Sequence, residues 1–187
     1  ELCEMPSNFR SETSLSDFLK KYDISGIEGI DTRALTKLLR SEGTMNGMIT
    51  TNENFNLDEI LPKIREFKAK DVVLRVTCDK PQFVPAAVSS YEGAKALQVA
   101  LMDFGAKKNI ARELAKRGCD VTIYPADTPA EMILKTAPDG IMLSNGPGDP
   151  KDCGAIIDEV KKLFDAGVPM FGICLGHQLL ALANGAD

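Results

Sequence analysis

LQVALMDFGAKKNIARELAKRGCDVTIY (Leu97–Tyr124) contains one full turn of the pattern that sets the fold. Leu97 to Phe104 is a short apolar run stopped by Gly105. Asn109 to Lys116 then sets Ile110 and Leu114 four residues apart on one helical face, and Gly118 ends that helix. Asp120 to Tyr124 is rich in β-branched residues and predicts a second strand. Strand, helix and strand joined by short turns make a β/α unit, since parallel neighbours need a crossover.

The alternation continues downstream at a spacing of about 20 to 25 residues. Thr128, Pro129 and Glu131 predict a helix start with Thr as cap, Pro at the first helical position and Glu closing a capping box, ahead of Met132, Ile133 and Leu134. Gly140 to Leu143 predicts a buried third strand. It runs into NGPGDP (Asn145 to Pro150), a loop too rich in Gly and Pro for regular structure. Ile156, Ile157, Val160, Leu163 and Phe164 recur at helical spacing, and Val168 to Ile173 predicts a fourth strand with Cys174 directly behind it. The reading is an α/β doubly wound parallel sheet over residues 91–187.

Residues 1–90 predict a smaller α/β region. Ser14 to Tyr22 and Asp31 to Glu42 read as helices, the second capped by Asp31, carrying Leu35, Leu38 and Leu39 on one face and stopped by Gly43. Gly47 to Thr51 and Val72 to Thr77 predict strands. Leu57 to Phe67 predicts a helix that Pro62 should kink or delay, and Asp79 to Tyr91 a linker.

Composition narrows the function. The 187 residues are 44% apolar and 26% charged, which excludes a disordered or fibrous chain. The 22 basic and 27 acidic residues give a net charge of −5 with no basic stripe, so nucleic acid is not an expected partner. No membrane span or secretory leader is legible, so a cytoplasmic location is expected. Five scattered cysteines without CxxC spacing predict neither a disulfide framework nor a metal site, and leave a reactive thiol open. His177 is the only histidine.

Gly172-Ile173-Cys174-Leu175-Gly176 has the G-x-Nuc-x-G layout of a nucleophile elbow. Glycines there remove side chains where strand, turn and helix crowd together, and the positive end of the following helix favours thiolate over thiol. The competing reading is a small buried cysteine in a βα turn, and NGPGDP could be an ordinary turn cluster. Two contexts favour chemistry: the motif falls where a strand becomes a helix, and a second Gly-rich loop ends the preceding strand. Parallel strands place both loops on one sheet edge, where the Gly146 and Leu175 amides could converge on one oxygen as an oxyanion hole.

GICLGHQLLALA (Gly172 to Ala183), LSNGPGDP (Leu143 to Pro150) and DFGAKKNIARELAKRGCDVTIYPADT (Asp103 to Thr128) resemble the class I, triad-type glutamine amidotransferase domain in the small-subunit family of carbamoyl phosphate synthetase. GIEGIDTRALTKLLR (Gly26 to Arg40) and the following GTMNGMI resemble that family's N-terminal domain, and the likeness covers essentially the whole chain. It implies a flavodoxin-like sheet over 91–187, preceded by part of the N-terminal domain over 1–90. It also implies that Cys174 attacks glutamine and forms a thioester, that Gly146 and Leu175 donate oxyanion amides, and that Gly148 and Gln178 hold glutamine. Ammonia would pass to a large synthetase subunit that uses ATP and bicarbonate to make carbamoyl phosphate for arginine and pyrimidine biosynthesis. No cofactor is expected on this chain.

In that family the catalytic His and Glu lie well downstream of the elbow, and a serine that touches glutamine lies in a segment preceding the stretch matched here. The resemblance therefore implies a partial chain that alone turns over little glutamine. The family's histidine equivalent to His177 is not a triad member, so His177 is read as structural. The alternatives are a non-catalytic amidotransferase-like interaction module, or the glutaminase of another synthetase such as one making GMP or anthranilate; the IDTRALT block disfavours the latter.

Overall fold

Ser14, Asp31 and Asn56 start three helices by one device, a side-chain oxygen accepting an amide of the first turn. They precede α1 (Leu15–Lys21), α2 (Thr32–Glu42) and α3 (Leu57–Glu66), and accept from Asp17 N, Ala34 N and Asp58 N at 3.1, 2.9 and 3.0 Å. Gly43 ends α2 at φ 87°, as its position predicts. Pro62 neither delays nor ends α3, and Asn46 Nδ2 closes that helix by donating to the Ile64 and Phe67 carbonyls at 2.8 Å. The expected strand at Gly47 to Thr51 does not form; those residues are irregular.

These elements belong to the first of two compact units, Glu1–Lys68 and Ala69–Asp187, in a computed structural model that describes residues 2–87 and 95–186. The division falls earlier than the expected linker, because residues 69–87 pack with the sheet. Val72 to Thr77, expected as a strand on its β-branched content, is instead the short helix α4 (Val72–Val76). Packing overrides propensity here. Val73 is buried in the core under the sheet, and the next residue after the helix, Thr77, donates to the Asp103 carbonyl at 2.6 Å.

The expected linker from Asp79 contains β1 (Gln82–Val84), while the last part of the linker, 88–91, lies outside the described residues. Pro81 and Pro85 flank this strand without harm because it is an edge strand. It pairs antiparallel with β3 (Cys119–Pro125). The remaining elements are β2 (Leu97–Asp103), α5 (Asn109–Lys116), α6 (Ala130–Leu134), β4 (Gly140–Leu143), α7 (Gly154–Asp165), β5 (Met170–Gly172) and α8 (Leu175–Ala183). The sheet order is β1-β3-β2-β4-β5, parallel except at β1. Its parallel strands follow the flavodoxin-like 2-1-3-4 order, which confirms the α/β doubly wound sheet.

Successive β2 side chains serve opposite faces. Ala100 and Met102 join Ile133, Val160, Leu163 and Leu179 beneath α6, α7 and α8, whereas Leu101 joins Val121 and Ala111 beside α5. Two boundaries differ from expectation. The fourth strand is only Met170–Gly172, since Pro169 brings no amide to the ladder. Thr128 does not cap α6, and no capping box forms: Pro129 holds extended backbone (ψ 137°), and Glu159 of α7 accepts the Ala130 amide at 2.6 Å. That bond, then the Lys162 ammonium at 2.7 Å, holds the Glu159 carboxyl below the usual carboxylate range. None of the described helices is long and apolar enough to cross a membrane.

Candidate active site

Strand β5 ends at Gly172 and α8 begins at Leu175, leaving two residues to reverse the chain. Cys174 takes the strain, with φ 51° and ψ −110°, a conformation that L side chains rarely adopt. Four backbone bonds hold it there. Ile173 N donates to Leu143 O at 2.9 Å, Gly176 N is shared between the Ile173 and Ser144 carbonyls at 3.0 Å each, and Gln178 N donates to Cys174 O at 3.0 Å.

Glycine is required on both sides of the cysteine. A Cβ on Gly172 would lie 2.6 Å from His177 N, and one on Gly176 would lie 2.4 Å from Leu143 O. Both obstacles are backbone and cannot rotate away. The result is a thiol raised into solvent: Cys174 is exposed, which removes the reading of it as a buried packing residue. Cys78, Cys119 and Cys153 are less accessible, and burial in each of these three pushes the thiol pKa up.

Gly146 stands against the same corner. Its Cβ position is 2.7 Å from Leu175 Cδ2 and 2.3 Å from Phe104 O, so only glycine fits between β2 and the elbow. Among the described residues, neither the Gly146 nor the Leu175 amide donates to a protein acceptor. Two free donors beside an exposed thiol can stabilise charge on a carbonyl oxygen. Gly148, at φ 94°, lines a cleft of about 150 Å³ whose walls include Val72, Val73, Pro147, Cys153 and Ile156; Cys174 and Gln178 are not among them. Gln178 and His177 are exposed on the first turns of α8, and among the described residues no side-chain bond joins His177 to Cys174.

Three polar residues at the strand ends escaped the sequence reading. Asp103, 9% exposed, accepts from Gly105 N, Ala106 N and Cys78 N at 2.9, 2.7 and 2.9 Å. Asn145 Oδ1 accepts from Lys107 N at 3.1 Å while its Nδ2 donates to Gly105 O at 3.2 Å. Ser144, fully buried, accepts from Phe104 N at 2.9 Å and donates to Asn145 O at 2.8 Å. The available signal was a polar residue placed directly behind a buried apolar strand.

A flavodoxin-like sheet with a cysteine elbow at its carboxyl edge is the architecture of a class I glutamine amidotransferase domain, and residues 100–187 match the family model for glutamine amidotransferase class-I. Residues 1–49 match the model for the carbamoyl-phosphate synthase small chain, CPSase domain. Over 187 residues the chain is 46% identical to the carbamoyl phosphate synthase small chain of Clostridium perfringens, covering 100% of this chain and 51% of that protein. It is 47% identical to that of Photorhabdus laumondii, covering 98% and 50%. The chain belongs to the carbamoyl phosphate synthase small-chain family, and it spans about half the length of the curated relatives it matches.

Proposed function

We propose that this chain carries the nucleophile and oxyanion hole of a glutamine-hydrolysing subunit of carbamoyl phosphate synthase. The carrying observation is the strained, exposed Cys174 beside the free amides of Gly146 and Leu175. Cys174 Sγ bonds to Cδ, the side-chain amide carbon of glutamine, and the carbonyl electron pair becomes an oxyanion held by those two amides. Collapse breaks the carbon–nitrogen bond, and the nitrogen leaves as ammonia with the proton that came from the thiol. Water then hydrolyses the γ-glutamyl thioester to glutamate and restores the thiol.

Gly148 and Gln178 hold the glutamine. A large partner subunit, working with this one in the cytoplasm, takes the ammonia and joins it to bicarbonate at the expense of ATP. His177 is not the general base in this reading, since among the described residues no hydrogen bond joins it to the thiol.

The test is ammonia release from glutamine by the full chain assembled with its synthetase partner. Cys174→Ala should abolish it. The 187-residue stretch assayed alone should release ammonia at least about 10³-fold more slowly, the order of loss on removing a triad member. A Cys174→Ala assembly that still hydrolyses glutamine would overturn the reading.

A further inference from the structure

We infer that Ser144 is the positioning residue that aims the Gly146 oxyanion donor, an inference that rests on the glutaminase reading above. One hydroxyl makes the link. Ser144 Oγ accepts from Phe104 N at 2.9 Å, so its single proton is left for the Asn145 carbonyl, to which it donates at 2.8 Å. The Asn145 carbonyl and the Gly146 amide are opposite ends of one planar peptide unit. Fixing the oxygen therefore fixes the direction of the Gly146 N–H, which points the other way. No other protein group is bonded to that peptide among the described residues.

Glycine at 146 makes such a lock necessary. Without a Cβ its φ and ψ range widely, so the peptide plane before it can rotate unless something holds it. The same residue also touches the elbow, through a backbone bond that any residue at 144 would make. Ser144 O accepts the Gly176 amide at 3.0 Å, and Gly176 is the residue after Leu175 in the first turn of α8. One residue thus ties the end of β2, the glycine loop and the elbow together. Its full burial keeps water from competing for either bond.

The experiment compares two reactions at the same sulfur in the full chain. Alkylation by iodoacetamide needs the thiolate alone, whereas acyl transfer from L-glutamic acid γ-(p-nitroanilide), read as p-nitroaniline release, passes through the oxyanion. Ser144→Ala and Ser144→Val should slow acyl transfer by about 10- to 100-fold, a part of what deleting an oxyanion donor costs. Alkylation of Cys174 should change less than about twofold, because the thiol keeps its place at the elbow. Ser144→Thr, isosteric with Ser144→Val but retaining the hydroxyl, should recover most of the acyl-transfer rate, so any cost of the added methyl is common to both. Unchanged acyl transfer in Ser144→Ala, equal slowing of both reactions, or Ser144→Thr as slow as Ser144→Val overturns the inference alone. If the unsubstituted protein itself fails to acylate Cys174, the glutaminase reading falls and this inference falls with it.

Discussion

The two units solve the folding problem at different ranges. In Glu1–Lys68 the helices are written by local signals, three side-chain caps and a terminal glycine, and none of them buries a side chain; Leu35, Leu38 and Leu39 form the expected stripe yet remain 40–45% exposed. In Ala69–Asp187 the caps are mostly absent, and α5, α6, α7 and α8 have no side-chain cap of their own. Those helices are held instead by apolar contact with a sheet. Local chemistry is enough to decide where a helix begins, but a strained backbone such as that of Cys174 needs a layer on each side.

Hydrogen exchange gives the sharpest test of this contrast. Amides in β2, β3 and β4 should be protected at least about 10³-fold more than those in α1, α2 and α3, because local opening without buried contacts costs little. Equal protection would erase the distinction. Next in size is a glycine pair. Gly176→Ala places a Cβ against the Leu143 carbonyl and should cost the sheet unit about 3 kcal/mol in a urea melt. Gly43→Ala meets nothing within 4 Å and should cost only about 1–2 kcal/mol of backbone strain, felt as fraying of α2.

The thiols allow the same comparison on one reagent. Cys3 and Cys174 are both exposed, one in each unit, but only Cys174 stands at a helix N-terminus on an elbow. Brief iodoacetamide treatment with mass mapping should label Cys174 about tenfold faster than Cys3, and both ahead of Cys78, Cys119 and Cys153. Equal rates for Cys3 and Cys174 would mean that the elbow exposes the sulfur without activating it.

The smallest expected effect concerns Glu159, which replaces a local cap with a distant one. Its carboxyl is held below its unfolded value, so its contribution is present above the ordinary glutamate pKa of about 4.3 and is lost as pH falls through the lowered folded value. Glu159→Gln should cost about 1 kcal/mol at pH 7, the usual size of a cap, and the difference should shrink in melts below about pH 4. A penalty independent of pH would assign the effect to packing.

Legibility follows the same division. Helices α2 and α5 and the strands β2 and β4 could be read almost to the residue, because spacing, caps and glycine stops are short-range. Val72 to Val76 could not: its β-branched run favours a strand, and only burial of Val73 beneath the sheet turns it into a helix. The Thr128 box failed because Pro129 shifts the helix start by one residue and leaves the amide to Glu159, which lies 29 positions away. At the site, Cys174, Gly146 and Leu175 were visible as a motif. Ser144 was not, since its two bonds join backbones separated by a strand crossover.

The sheet's pairing shortens toward the elbow: seven aligned residue pairs between β2 and β3, four between β2 and β4, and three between β4 and β5. Seen as a mechanical part, the elbow hangs from a joint of only three pairs, no longer than the one that holds the edge strand β1. Tension applied through the end of α8 loads those three pairs first, and the elbow should let go as one piece while β2 and β3 stay zipped. A tether at Ala183 in a force experiment would then register two steps, the first of them undoing the elbow around Cys174.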